Sequence, residues 1–412
     1  MPGVTTCLPG KCCEAAASFR FPRSRKLPDP RSFVYLDNAA TSLPKPKGVA
    51  ESVAGAIRRA GNPGRSGHAL AIRSSRDLFV ARERLAELFG VRDSSRFVFT
   101  GNATGALNQA IKGILRRGDH VVTTSVEHNS VMRPLSRMKK AGVSVTVVPA
   151  SPDGAVEAKS VAAAIRKKTR LVAVVHASNV TGAIQPVEEI LRIARKAGAY
   201  TLVDAAQTAG SIPLSLSGLS ADLVAAPGHK GLLGPQGTGF LYIREGVPLV
   251  PLIEGGTGSR SESDRQPDFL PDAFESGTLN SVGIAGLSVS LAWLLRKGID
   301  RIRRKETDLL EGLVEGMGRI SGVTVYGPRE PSRRASVVSF LVEGMDPAEV
   351  GRRLEKKFGV LVRAGLHCSP NSHRTLRTFP EGTVRVSPGP FTTRKEISRF
   401  LQGLRKIAAS PR

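Results

Sequence analysis

Residues 200–207 carry the stretch Tyr-Thr-Leu-Val-Asp-Ala-Ala-Gln, in which a short apolar and β-branched run ends in an acid and a glutamine. A run of about five such residues is typical of a buried strand. The flanking chain repeats the pattern, because short β-branched runs alternate with helix-length segments between about residues 95 and 245. This alternation predicts a mostly parallel sheet with helices on both faces.

Seven segments fit the strand pattern, and we predict that they form the sheet of one large α/β domain. They are residues 97–100, 120–124, 143–149, 171–176, 200–204, 222–226 and 239–243. Segments 161–167 and 188–197 have apolar residues at three- and four-residue spacing and are predicted as crossover helices.

The chain changes character after about residue 290. Long charged amphipathic helices are predicted near 302–320 and 347–358, with strand candidates at 323–326 and 336–341 between them. This pattern indicates a smaller α+β domain. We therefore predict a flexible arm at 1–31, a large domain at 46–290, and a small domain made from 32–45 and 291–412.

The chain is strongly basic, since 60 Lys and Arg against 35 Asp and Glu give a net charge of +25 over 412 residues. Such a surface attracts phosphate and acidic partners. The basic residues are scattered, however, and no zinc finger, RNP-like motif or basic run with interleaved aromatics accompanies them. A solvated basic surface is the better interpretation, and nucleic-acid binding is not expected.

The four cysteines bear on the compartment. Three of them, Cys7, Cys12 and Cys13, fall in the predicted arm, and Cys368 stands alone in the body of the chain. No intrachain disulfide framework is possible there, which favours a cytoplasmic protein. The sequence shows no secretory apolar region and no apolar run of about 18 residues, so no membrane span is expected. No metal site is predicted, since the Cys12-Cys13 pair lacks spaced partner ligands.

Polar residues cluster just after the predicted strands. Ligands of open parallel sheets bind beyond the carboxyl ends of the strands, so these residues are expected to share one edge. The segments are Gly101-Asn102-Ala103-Thr104, Glu127-His128-Asn129-Ser130, His176-Ala177-Ser178-Asn179, Asp204-Ala205-Ala206-Gln207 and Pro227-Gly228-His229-Lys230.

Together these groups suit pyridoxal phosphate (PLP). Its aldehyde needs a lysine, its pyridine nitrogen a carboxylate, its ring a stacking partner and its phosphate a helix N-terminus. Thr104 is either part of that phosphate site or an ordinary helix cap. Nucleotide binding is disfavoured, because no G-x-G-x-x-G follows the first strand and no G-x-x-x-x-G-K-[ST] occurs.

From about Tyr35 onward the chain resembles the class V aminotransferase family, in its cysteine desulfurase and selenocysteine lyase branch. The motifs that carry the resemblance are Tyr-Leu-Asp-Asn-Ala-Ala-Thr at 35–41, Gly-Asn-Pro-Gly-Arg-Ser-Gly-His at 61–68, Glu-His-Asn-Ser at 127–130, Asp-Ala-Ala-Gln at 204–207, Gly-His-Lys at 228–230, Phe-Glu-Ser-Gly-Thr at 274–278 and Arg-Ala-Gly-Leu-His-Cys at 363–368. The resemblance implies the fold type I of PLP-dependent transferases and a homodimer.

The resemblance also implies a role for each matching residue. Toward the cofactor, Lys230 would form the Schiff base, Asp204 would pair with the pyridine nitrogen and Gln207 would contact the phenolic oxygen. His128 would stack on the ring, and the phosphate would be bound by Ala103, Thr104 and His229. Thr278 would contact the cofactor phosphate of the neighbouring subunit. The substrate carboxylate would be bound by Asn179 and Arg385, assisted by Arg363.

Cys368 matches the nucleophile of the desulfurases. As a thiolate, favoured by Arg363 and His367, it would attack the sulfur of L-cysteine and leave an enzyme persulfide and L-alanine. The alternative for a lone cysteine is a small buried hydrophobic residue. Family members usually have Ser or Thr at the position of Pro227, Glu at that of Gly105 and a second histidine at that of Leu366.

The implied function is a PLP-dependent cysteine desulfurase that passes sulfur to an acceptor protein, as in iron–sulfur cluster assembly. A second possibility is another PLP reaction on the same fold, such as selenocysteine lyase or aminotransferase activity. A third, from a different class, is a basic binding protein with a degenerate site.

Overall fold

The computed structural model describes residues 33–64 and 66–409. The predicted arm at 1–31 lies outside the described residues, together with Cys7, Cys12 and Cys13. Cys368 is a free, exposed thiol.

The described chain contains twelve helices, thirteen strands and three short 3₁₀ segments. The helices are α1 Val49–Arg59, α2 Ala69–Phe89, α3 Ala103–Ile114, α4 Asn129–Lys140, α5 Ala158–Ala164, α6 Val187–Lys196, α7 Leu216–Leu219, α8 Ser281–Lys297, α9 Ile299–Gly318, α10 Pro347–Phe358, α11 Pro370–Leu376 and α12 Arg394–Ala408. The strands are β1 Val34–Tyr35, β2 Phe97–Thr100, β3 His120–Thr124, β4 Ser144–Val148, β5 Thr169–Val175, β6 Tyr200–Asp204, β7 Leu223–Pro227, β8 Gly239–Ile243, β9 Val323–Tyr326, β10 Val338–Val342, β11 Val360–Leu361, β12 Arg363–Gly365 and β13 Thr383–Val386. The 3₁₀ segments are Ser94–Arg96, Asp272–Phe274 and Pro331–Arg333.

Seven strands form the large sheet in the order β2-β8-β7-β6-β5-β3-β4. Only β8 runs antiparallel to its neighbours, so the predicted mostly parallel seven-stranded sheet is confirmed. Four predicted strands have the observed bounds, and the other three differ by one or two residues at their ends. At β7 the strand starts after Asp222, because the Asp222 N–H donates to the Thr201 hydroxyl at 2.9 Å rather than to the ladder.

Both faces of this sheet are buried except at the edge strand β4, where Ser144 and Val147 are exposed. Along β8, Phe240 and Tyr242 enter one hydrophobic cluster while Leu241 and Ile243 enter another, as the two-residue period of a strand requires. Helices α2, α6 and α8 supply the first cluster, and α3 and α4 supply the second. Since helices cover both faces of the other strands, their polar groups emerge only at the ends of the sheet.

The C-terminal third builds a second core. An antiparallel sheet of order β12-β13-β10-β9 packs against α9, α10 and α12, and the short parallel pair β1–β11 joins it through Val34 and Val360. This confirms the predicted α+β character. Strand β10 starts at Val338 rather than 336, because the Val337 N–H turns back to the Ala335 carbonyl at 2.6 Å. The predicted domain limits stay predictions.

The described residues were searched for membrane-spanning helices and for clusters of metal ligands. In residues 33–64 and 66–409 no single helix has the length and hydropathy of a membrane span, although α8 and α9 together meet that test as a pair bent by 81°. Over the same residues, no group of three or more His, Cys, Asp or Glu side chains is arranged to hold a metal ion.

A buried ion pair joins α2 to the segment after the 3₁₀ turn at Asp272–Phe274. Arg82 Nη1 and Nη2 donate to the two oxygens of Glu275 at 2.8 and 2.9 Å, and the Phe99 N–H of β2 donates to Glu275 Oε1 at 2.6 Å. Arg82 is 7% exposed and Glu275 8%. Glu275 belongs to a family motif, but its structural role was not anticipated from the sequence.

Removing one partner of this pair is expected to destabilise the fold strongly. Glu275→Ala leaves the Arg82 guanidinium buried without its counter-charge, which typically costs roughly 3–5 kcal/mol of unfolding free energy. The double variant Arg82→Met with Glu275→Leu serves as control and should lose less, since no unpaired charge remains. Urea unfolding measures both, and a loss below about 1 kcal/mol for Glu275→Ala would contradict this account of the pair.

Candidate active site at the carboxyl ends of the strands

A cavity of about 220 Å³ opens at the edge where the parallel strands end. The polar segments after β2, β3, β5, β6 and β7 all contribute to its wall, together with the C-terminal turn that carries Cys368. Of the twelve residues predicted for the site, eleven line this cavity: Ala103, Thr104, His128, Asn179, Asp204, Gln207, His229, Lys230, Arg363, Cys368 and Arg385. The fold therefore brings together groups that are spread over almost 300 residues of sequence.

The start of α3 forms one side of the cavity. The helix begins at Ala103, because Asn102 caps it by accepting the Gly105 N–H at 2.9 Å. Thr104 is thus not the cap, and its hydroxyl lies 2.8 Å from the Ser130 hydroxyl instead. The cap interpretation of Thr104 was wrong because Asn102, two residues earlier, takes that role.

His128 is held in one orientation at the start of α4. Its Nδ1 accepts the Ser130 N–H at 3.0 Å and lies 2.9 Å from the Ser130 hydroxyl. Burial, followed by the charge of Lys230 and nearby arginines, lowers the pKa of His128 to about 4. The ring is therefore neutral at pH 7, and its proton is on Nε2.

Lys230 and Asp204 both line the cavity, and their charges interact. Burial lowers the pKa of Lys230 to about 8, although the Asp204 carboxylate opposes that change. Burial raises the pKa of Asp204, whose Oδ1 accepts the Ala206 N–H at 2.9 Å. An amine with a lowered pKa is a better nucleophile and base near neutral pH than an ordinary lysine.

His229 precedes the lysine and is anchored by its backbone. Its carbonyl oxygen accepts from the Ser42 N–H at 2.9 Å and from the Ser42 and Thr41 hydroxyls. Its Nδ1 is buried with no hydrogen-bond partner among the described residues. Buried ring nitrogens normally have a hydrogen-bond partner, so the unpaired Nδ1 of His229 indicates that a polar group binds here. Gln207 adjoins, with Nε2 donating to the Ala39 carbonyl at 3.2 Å.

These groups fit pyridoxal phosphate. The cavity contains a lysine amine of lowered pKa, a buried carboxylate, a neutral imidazole, an unpaired buried ring nitrogen and the open N-terminus of α3. Each matches one requirement of the cofactor, namely the aldehyde, the pyridine nitrogen, the ring face and the phosphate.

Arg385 is almost fully buried, at 1% exposure, and is already engaged on two sides. Its Nη1 donates to the Asn179 carbonyl at 3.0 Å and its Nη2 to Asp37 Oδ1 at 2.9 Å, while Nε is buried without a partner in the described residues. The guanidinium is thus fixed with donor capacity left for an anion. Sequence reasoning missed Asp37, although it lies in the motif at 35–41.

Cys368 lies at the cavity wall on a tight turn after β12. Both His367 and Cys368 have left-handed backbone angles, with φ of 48° and 60°, which cost roughly 1–3 kcal/mol each in non-glycine residues. Arg363 Nη2 approaches Cys368 Sγ to 4.0 Å. Cys368 is exposed, so the alternative of a small buried hydrophobic residue is wrong.

The expectation that His367 adds positive charge beside the thiol is wrong. Burial, then the charges of Arg385, His373 and Arg363, lowers the pKa of His367 well below its usual value. Its Nε2 lies 3.1 Å from the Thr383 carbonyl, so it is a neutral donor in the wall. Arg363 is the cation that contacts the sulfur.

Thr278 is the one predicted residue outside the cavity. It is exposed and lines a separate surface depression with Phe79, Arg82 and Gly277. The prediction that it serves the neighbouring subunit is compatible with this position and stays a prediction.

Comparisons with known proteins cover nearly the whole chain. The family model described as Aminotransferase class-V matches residues 34–400. A probable cysteine desulfurase of Methanothermobacter thermautotrophicus is 38% identical, over 93% of this chain and 97% of the relative. The apo structure of a cysteine desulfurase from Thermococcus onnurineus NA1 superposes with a TM-score of 0.86 at 34% identity, covering 92% and 95% of the two chains.

The cysteine desulfurase CsdA from Escherichia coli, solved in an S-sulfonic acid form, is similar with a TM-score of 0.83 and 27% identity, over 92% of this chain and 95% of that one. The family match covers most of the chain. The sheet order and the lysine and acid at the strand ends are consistent with that match. The chain belongs to the aminotransferase class-V family of PLP-dependent enzymes and has their type I fold.

Proposed function

We propose that this protein is a cysteine desulfurase, which converts L-cysteine to L-alanine and leaves the sulfur as a persulfide on Cys368. One observation carries the proposal: the exposed thiol of Cys368 lines the same cavity as the Lys230 amine and the Asp204 carboxylate. A plain aminotransferase needs the lysine and the acid but has no use for a thiol at that position. The names of the similar proteins support the same activity.

Pyridoxal phosphate would be held by residues on every side of the cavity. Asp204 would pair with its pyridine nitrogen, the neutral His128 ring would stack on it, and Gln207 would contact its phenolic oxygen. Ala103, Thr104 and the unpaired Nδ1 of His229 would bind the phosphate at the start of α3. When bound, this cofactor supplies an electron sink that weakens bonds at the substrate's α- and β-carbons.

Lys230 would bind the cofactor and then act as the base. Its lowered pKa leaves a large share of the amine unprotonated near pH 8, so it can take the proton from the α-carbon of the substrate. Arg385 would hold the substrate carboxylate, with Asn179 and Arg363 beside it. Because Asp37 and Asn179 fix the guanidinium, the carboxylate meets donors that need not reorganise.

Cys368 would accept the sulfur as a thiolate. A sulfur–sulfur bond forms between Cys368 Sγ and the substrate sulfur, the carbon–sulfur bond breaks, and its electron pair stays with the substrate carbon, which takes up a proton. Cysteine and the enzyme thiol thus become alanine and the enzyme persulfide, with no outside oxidant. Arg363, 4.0 Å from the sulfur, would favour the thiolate.

We further propose that the enzyme works as a homodimer and passes its sulfur to a partner protein. Thr278 would reach the cofactor phosphate of the second subunit in a homodimer, since it is exposed and away from its own cavity. An exposed persulfide suits delivery to a sulfur-acceptor protein, and iron–sulfur cluster assembly is one destination. We also propose a cytoplasmic location, since a thiol nucleophile such as Cys368 stays reduced there.

Replacing the nucleophile tests the reaction. Cys368→Ala is expected to lower alanine formation from L-cysteine by roughly 10²-fold or more, because no thiolate is left to take the sulfur. Amino-acid analysis of timed reactions measures it, and the visible cofactor band should be unchanged. A variant with Cys7, Cys12 and Cys13 all replaced by Ser is the matched control and should keep full activity. Full alanine release by Cys368→Ala would contradict the mechanism.

The pKa of Lys230 predicts how cofactor uptake depends on pH. Only the unprotonated amine attacks the aldehyde, so raising the pH speeds uptake by cofactor-free protein until the amine is fully deprotonated. With a pKa of about 8, the rate should reach half of its plateau near pH 8, rather than near the 10.5 of an ordinary lysine. Stopped-flow absorbance measures the rate at which the band of the lysine-bound cofactor appears. Lys230→Arg is the control and should not develop that band. A rate that still climbs above pH 10 would contradict this assignment.

A further inference from the structure

The side chain of Asn179 uses both ends of its amide to hold the residues on either side of Cys368. Its Nδ2 donates to the His367 carbonyl at 2.7 Å, and its Oδ1 accepts from the Ser369 hydroxyl at 2.7 Å. Asn179 is 6% exposed and Ser369 fully buried, so water does not compete for either bond.

Ser369 departs from the usual behaviour of a serine at its position. It is the N-cap residue of α11, where a serine hydroxyl normally accepts a backbone N–H of the first turn. Here the hydroxyl makes no cap hydrogen bond and donates to Asn179 instead. Helix α11 therefore lacks a side-chain cap hydrogen bond, and the Ser369 hydroxyl instead contacts the segment after β5.

The turn between these two contacts needs such support. His367 and Cys368 are consecutive non-glycine residues in the left-handed region, and such a conformation persists only where surrounding contacts fix it. The Cys368 carbonyl is also bound, because it accepts the Asn129 N–H at 2.8 Å. Asn129 and Asn179 thus attach the turn to the ends of β3 and β5, the strand ends that form the cavity.

We propose that Asn179 and Ser369 form a positioning pair that fixes Cys368 at the cavity and links the nucleophile to the substrate-carboxylate site. The link runs through Asn179, whose carbonyl accepts from Arg385 Nη1 while its amide holds the Cys368 turn. Ser369 does not line the cavity and acts only through Asn179. The inference rests on the proposed desulfurase function.

Ser369→Ala isolates this role, and the chain offers a matched control. Ser372 is on the same helix, is equally buried and has a hydroxyl with no partner in the described residues, so Ser372→Ala removes the same atom without touching the pair. For Ser369→Ala we expect kcat for alanine formation to fall roughly tenfold or more, since a displaced nucleophile loses its orientation. KM for L-cysteine and the visible cofactor band should be unchanged, and Ser372→Ala should match the wild type in all three.

Hydrogen–deuterium exchange gives a readout that does not need turnover. In Ser369→Ala the backbone amides of residues 366–369 should exchange at least several-fold faster, and in Ser372→Ala they should not. Wild-type exchange together with wild-type kcat in Ser369→Ala would overturn the proposal, and so would faster exchange with an unchanged kcat. If Ser369→Ala exchanges faster but the wild-type protein forms no alanine from L-cysteine, the desulfurase function is overturned, and with it the catalytic role of the pair. Should Ser369→Ala not fold, Asn179→Asp removes the bond to His367 and carries the same exchange test.

Discussion

The burial of both faces of a parallel sheet is the constraint on which the site depends. Helices cover the two faces with separate apolar clusters, so the strands β2, β3, β5, β6 and β7 can expose polar side chains only where they end. Six of the seven strands run in the same direction and therefore end at the same edge. The polar residues of the cavity lie at that edge, and the C-terminal sheet and the turn after β12 add Arg363, Arg385 and Cys368 to its wall.

Low exposure also determines the charges of the site. The imidazoles of His128, His229 and His367 are all neutral, because burial and neighbouring cations lower their pKa values. Positive charge is left to the arginines and, below pH 8, to Lys230. This division suits a reaction with two anions, the cofactor phosphate and the substrate carboxylate, while the neutral rings stack and donate hydrogen bonds without competing for them.

The sequence allowed the sheet and most of the cavity to be predicted, because strand periodicity and polar residues after strands are local signals. It did not reveal Asp37 beside Arg385, Glu275 beside Arg82, or the Asn179–Ser369 pair. These contacts join residues more than 180 positions apart, so no local pattern records them. Two further expectations were wrong for separate reasons: Asn102 caps α3 in place of Thr104, and burial removes the charge expected of His367.

The central claim is that substrate sulfur moves onto Cys368, and isotopic labelling follows that atom directly. Holoenzyme is mixed with L-cysteine that carries ³⁴S, thiols are trapped by alkylation, and the peptide containing Cys368 is examined by mass spectrometry. The account predicts one ³⁴S atom on Cys368 for each alanine formed in the first turnover. Alanine formation with no label on Cys368 would contradict it.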